Sequence, residues 1–108
     1  MRDETFVFRI SGALFFGATA GVSTILDRIG QHPRVFILDF SAVPLIDSTG
    51  ARALHGFVHK LQRSGTRVYL SGAGDSVRRA LINAGLKPPD VTYSDNVESA
   101  RAAARESA

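Results

Sequence analysis

The sequence predicts an α/β domain built on an open, mixed but mostly parallel sheet of four to five strands, with about four helices mainly on one face. Two observations carry this expectation. Strand-like stretches alternate with helical stretches of about ten to sixteen residues, and a parallel step between neighbouring strands needs such a crossover. The segment Val35-Phe36-Ile37-Leu38-Asp39-Phe40 is almost continuously apolar and rich in β-favouring side chains, the pattern of a central strand buried on both faces. At 108 residues, the stretch 1–108 has room for a single domain, because two halves would each be too small to stabilise a core.

Taken in order, Phe6, Phe8 and Ile10 alternate with Thr5, Val7 and Arg9, so the first strand turns one face to the core. Ser11-Gly12 breaks it. The short apolar run Ala13-Leu14-Phe15-Phe16, ended by Gly17, is expected as a second strand, and its closeness to the first makes this pair the expected exception to parallel pairing. Val22, Ile25, Leu26 and Ile29 recur at helical spacing, which predicts a helix over about Thr19 to Gln31 with Pro33 beyond its end. The central strand follows at Val35. After Pro44-Leu45-Ile46, the stripe Ala51, Leu54, Val58 and Leu61 opposes Arg52, His55, His59 and Gln62, which predicts a second helix ending before Gly65. Arg67-Val68-Tyr69-Leu70-Ser71 reads as a strand and Gly72-Ala73-Gly74-Asp75 as a turn. Ser76 is the expected N-cap of a helix carrying Val77, Ala80, Leu81 and Ala84, with Gly85 at its stop. Val91-Thr92-Tyr93 is a short strand, and Asn96 caps an alanine-rich last helix through about Arg105.

Composition narrows the function classes. Hydrophobic residues at 44% and charged residues at 21% are those of a folding chain, not a disordered one. Without cysteine there is no disulfide, no thiolate nucleophile and no cysteine-ligated metal centre. The apolar runs are far shorter than the roughly 18 to 20 residues that span a bilayer. The net charge of +3 comes from arginines scattered along the chain, with no basic run beyond Arg78-Arg79, so nucleic acid is not the expected partner.

The most informative segment is Leu38-Asp39-Phe40-Ser41-Ala42-Val43-Pro44-Leu45-Ile46-Asp47-Ser48-Thr49-Gly50, where a buried strand runs into a polar turn and a helix start. It resembles the signature of the STAS family, the domain shared by sulfate transporters and anti-sigma factor antagonists, in which a strand with an acidic end leads to an Asp-Ser-Ser/Thr-Gly turn. The likeness continues through Gly65-Thr66-Arg67-Val68-Tyr69-Leu70-Ser71-Gly72 to Gly85-Leu86. Ser11-Gly12-Ala13-Leu14-Phe15-Phe16-Gly17-Ala18 is similar to the Gly-Pro-Leu-Phe-Phe-Gly stretch of bacterial SulP anion transporters, although Ser11 replaces the usual acidic residue and Ala13 the proline. Antagonists more often carry a Gly-Glu-Leu-Asp type of segment there.

The resemblance implies a non-enzymatic regulatory tail, cytoplasmic and at the inner face of the plasma membrane, acting on the membrane domain of a SulP sulfate or anion transporter or on a regulatory protein. The alternative is a stand-alone antagonist that an anti-sigma factor kinase inactivates. In antagonists the phospho-acceptor is the residue before the glycine, which maps to Thr49, with Ser48 its neighbour. Asp47, Ser48, Thr49, Gly50 and Arg52 form the expected contact surface. A phosphate at a helix N-terminus meets unpaired N–H groups and the positive dipole end while adding about two negative charges to the surface. Capping of the helix by Asp47, Ser48 or Thr49 is the competing structural role.

Other residues suggest less. Asp39 and Asp47 stand with no lysine, histidine or further carboxylate in a catalytic spacing, so no catalytic residue is assigned; hydrogen bonding at the strand end and the helix start is expected of them. His55 and His59 lie four apart, as in metal-binding pairs, yet lack a clear third ligand, so no metal is assigned. Gly72-Ala73-Gly74 lacks the third glycine of a phosphate loop, and Asp75 would repel an anion, so no cofactor is assigned. Nucleotide binding rests on the resemblance alone. Phe15 or Phe16 is either core or an apolar handle for another subunit.

Overall fold

The computed structural model describes residues 5–11 and 34–107, without the side chains of Ser11 and Ser107. Within them four strands form one sheet, β1 (Thr5–Ser11), β2 (Val35–Ala42), β3 (Arg67–Ser71) and β4 (Thr92–Ser94), in the spatial order β1-β2-β3-β4 and all parallel. Three helices connect or follow them: α1 (Ser48–Arg63), α2 (Asp75–Asn83) and α3 (Val97–Ser107). The expected strand at Ala13–Phe16, the helix over Thr19–Gln31 and the exposure of Phe15 or Phe16 lie outside the described residues.

Alternation along the strands divides the sheet into two faces. Phe36, Leu38 and Phe40 of β2, Val68 and Leu70 of β3 and Ile10 of β1 join one buried cluster with Leu54, Phe57, Val58 and Leu61 of α1 and Val77 and Leu81 of α2. Among the described residues the opposite face carries the smaller cluster. There Ile37 and Tyr69 meet Ala100 and Ala104 of α3. Each large apolar side chain so buried contributes about 1.5–3 kcal/mol, and most of them sit under α1 and α2.

Both α1 and α2 stop in the same way. Gly65 takes φ +87° and donates to the Gln62 carbonyl, while Thr66 N–H reaches back to Leu61. Gly85 takes φ +104° and donates to Ile82, while Leu86 N–H reaches back to Leu81. These paired bonds satisfy carbonyls that a helix end leaves open, and the left-handed residue in each is a glycine because a Cβ would be strained there. Leu86 and Leu81 are both buried, so the second stop also closes the core.

The helix starts differ. Asn96 accepts a bond from Ser99 N–H at 2.8 Å, as the sequence indicates for α3. Ser76 is not the cap of α2. Gly74 occupies that position in extended geometry with no side-chain bond, and Asp75 supplies an acidic residue to the first turn instead.

Tyr93 of β4 ties the sheet edge to the loop after α2. Its hydroxyl donates to the Leu86 carbonyl at 2.6 Å, and the Arg78 guanidinium lies 4.9 Å from the ring centroid. Burial pushes the hydroxyl from 10.0 up to about 12, against the smaller opposing pull of Arg78. The unfolded chain therefore releases this proton first. The stabilisation is complete below about pH 10 and is lost as pH rises through about 12. Tyr93→Phe is expected to cost about 1 kcal/mol at neutral pH through the lost bond. Thermal melts at about pH 9 and pH 11 should then show a smaller alkaline loss in the variant than in the parent, and equal losses would contradict the assignment.

Candidate functional site

The site is the turn by which β2 enters α1. At the end of β2 the Asp39 carboxylate accepts the Ser41 N–H at 2.9 Å, and Val43 N–H closes back on the Phe40 carbonyl at 3.0 Å. Buried Val43 and half-buried Ile46 hold the turn to the core, whereas Pro44 and Leu45 project outward, Leu45 with 58% exposure. A second loop braces the turn. Gly72, after β3, has φ +71°, and a Cβ built there would stand 3.1 Å from Ser41 N and 3.3 Å from Asp39 Oδ1.

Of the three residues with a capping side chain at the start of α1, Asp47 is the cap. Its backbone is extended, with φ −92° and ψ 173°, and its Oδ1 accepts Gly50 N–H at 2.7 Å. Ser48 and Thr49 occupy the first two helical positions and are exposed, as is Arg52 one turn later, while Gly50 is buried. The Asp47 carboxylate is thus the negative group at the positive dipole end, and the first turn of α1 adds no further acidic residue. Replacing Asp47 by alanine should lower stability by about 1 kcal/mol, and by asparagine only a few tenths, as read from urea midpoints. Equal effects of the two would contradict the capping role.

Asp39 and Asp47 thus make the local backbone bonds expected of them. Sequence reasoning missed what faces the turn. Ser48, Ala51 and Arg52 line a cleft of about 240 Å³ with Ala80, Asn83 and Ala84 of the α2 region. Ser48 borders this cleft, and Thr49 is not among its lining residues. The only hint in the sequence was the run of small residues at positions 80 and 84, which leaves the helices room but does not say which partner they face.

A second cleft, of about 330 Å³, opens between the other half of α1 and the loop after α2, lined by His55, Val58, His59, Gln62, Gly85, Leu86 and Asp90. Both histidines are exposed, and their rings stack with centroids 6.4 Å apart. Gln62 Nε2 donates to the Asp90 carbonyl at 2.6 Å, tying helix to loop. Among the described residues, no group of three or more histidine, cysteine, aspartate or glutamate side chains is placed to hold a metal ion. Among those residues, too, no helix is long and apolar enough to cross a membrane.

The fold recurs in solved structures of two functional branches. The STAS domain of a SulP transporter from Vibrio cholerae superposes with a TM-score of 0.85 at 26% identity, covering 100% of this chain and 88% of that one. A sulfate transporter family protein from Wolinella succinogenes gives 0.82 at 34% identity, covering 94% and 85%. The anti-sigma factor antagonist SpoIIAA in its unphosphorylated form gives 0.76 at 25% identity, covering 97% and 91%. A comparison with curated protein sequences finds no match. The family model for the STAS domain matches residues 1–100, the stretch that holds the sheet, the Asp47–Gly50 turn and both clefts, and the chain belongs to the STAS domain family.

Proposed function

We propose that this chain is a non-enzymatic regulatory module that modulates a SulP-type sulfate or anion transporter from the cytoplasmic side, through a contact surface made of Asp47, Ser48, Thr49, Gly50 and Arg52. The observation that carries the proposal is the division of labour at the start of α1. Asp47 takes the cap, so the exposed Ser48 and Thr49 hydroxyls are not needed to hold the helix and are available to a partner. The 34% identity with the Wolinella protein and the Ser11–Ala18 stretch support the transporter branch.

The second reading is a stand-alone anti-sigma factor antagonist, switched off when a kinase-type anti-sigma factor phosphorylates Thr49. The exposure of Thr49 at the start of α1 favours it, because a phosphate at a helix N-terminus meets the positive dipole end, which it would share with the Asp47 carboxylate. Reading the gene upstream of Met1 separates the two. A multi-spanning hydrophobic polypeptide in the same frame supports the transporter module, whereas a separate frame beside a kinase and a sigma factor supports the antagonist.

The surface itself has its own test. Thr49→Glu should change stability by less than about 0.5 kcal/mol, as surface changes usually do, while weakening binding to the partner about tenfold or more. Unchanged binding would remove Thr49 from the surface.

A further inference from the structure

The cleft at the far half of α1 has no part in the function proposed above, yet it brings two imidazoles together. We propose that His55 and His59 form a two-imidazole site for a late first-row divalent cation, Cu²⁺ most tightly and Zn²⁺ or Ni²⁺ less so, with the remaining coordination positions open to water or to a partner's side chain. Residues four apart on a helix share a face, and paired histidines at this spacing are a recurrent metal-binding element. Their ring centroids are 6.4 Å apart with an interplanar angle of 28°. That separation exceeds the roughly 5 Å that two imidazoles span when they bind one ion side by side with bonds of about 2.0–2.1 Å, so binding requires the exposed His59 ring to change rotamer towards His55.

The surroundings favour a held site over two freely moving side chains. The His55 ring rests against Gly85, where a Cβ would lie 3.1 Å from Cδ2 and 3.2 Å from Nε2, so the missing side chain is what admits the ring. Val58 and Leu86 form a buried floor, and the Gln62 bond to the Asp90 carbonyl fixes the opposite wall. Imidazole suits copper, nickel and zinc, and copper stands highest in the order of affinities. With two protein ligands the site is an incomplete shell, suited to a metal that a partner helps to hold.

The test is calorimetric titration of the full chain, without an affinity tag, with Cu²⁺, accompanied by electron paramagnetic resonance. One equivalent should bind with nitrogen hyperfine structure from two imidazoles, and Zn²⁺ should raise the melting temperature by binding the folded state. His55→Asn and His59→Asn should each weaken binding about a hundredfold, because each removes the tethered second ligand. Both residues are exposed, so the variants should fold. The remaining histidine, His32, supplies the control. His32→Asn should leave binding unchanged, and a loss in all three variants would retain the pair and add a third ligand. No binding, full binding in the His55→Asn/His59→Asn double variant, or a loss confined to His32→Asn would overturn the proposal.

Discussion

Phe36→Ala is expected to remove about 3–5 kcal/mol of folding free energy, a large share of the roughly 5–15 kcal/mol that holds a domain together. Phe36 lies in β2, between β1 and β3, and is fully buried. Its ring sits 5.1 Å from Phe6 of β1 in a tilted pair and 5.6 Å from Phe57 of α1 in an edge-to-face pair. Truncation therefore removes apolar burial, two aromatic contacts and the atoms that keep the sheet and α1 apart. Rigid neighbours on three elements cannot all collapse into the space. Urea unfolding at unchanged slope should show the midpoint fall accordingly, and a loss below about 1 kcal/mol would mean that the core relaxes around the gap.

The second large effect is expected at Gly72→Ala, at about 2–4 kcal/mol. Its φ of +71° alone costs an alanine about 1–2 kcal/mol. The new Cβ would also stand 3.1 Å from the backbone nitrogen of Ser41, which cannot swing aside, and relief of such crowding costs about 1–3 kcal/mol. Gly65→Ala separates the two contributions. Gly65 has a similar positive φ of +87° but nothing within 4 Å of the added carbon, so it should show the strain without the crowding. If the two variants lose the same stability, the approach of the β3–α2 loop to β2 is soft. If Gly72→Ala loses more, it should also disturb the Asp39–Ser41 turn and with it the entry into α1.

How much of this was visible in the residues depended on how local the determinant is. Strand β3 and helix α1 fall where the periodicity puts them, because each has a strong pattern and a stop glycine whose conformation few other residues share. The stripe on α1 was read without Phe57, which the three-dimensional packing adds beside Val58. The start of α2 was misplaced for a physical reason. Ser76 is a good capping residue by type, but a glycine in extended geometry one position before Asp75 also starts a helix, and the packing of Val77 and Leu81 sets the phase. At the site, the helix-start role of Asp47 followed from its place before a helical stripe. The clefts did not, because each joins α1 to the region of α2 and its following loop through pairings that no spacing along the chain records. The helices' division between the two faces was likewise visible only as a majority.

The two coverings of the sheet are unequal in kind. Among the described residues, interlocking aromatic and branched side chains join α1 and α2 to the strands on one side, whereas α3 packs mainly small side chains, Ala100 and Ala104 with Ala103 and Val97 beside them, against Ile37 and Tyr69. Methyl contacts let a helix lie close, but they give it little area to lose on departure. Amide hydrogen exchange is therefore expected to be faster in α3 than in α1, with β2 and β3 protected longest.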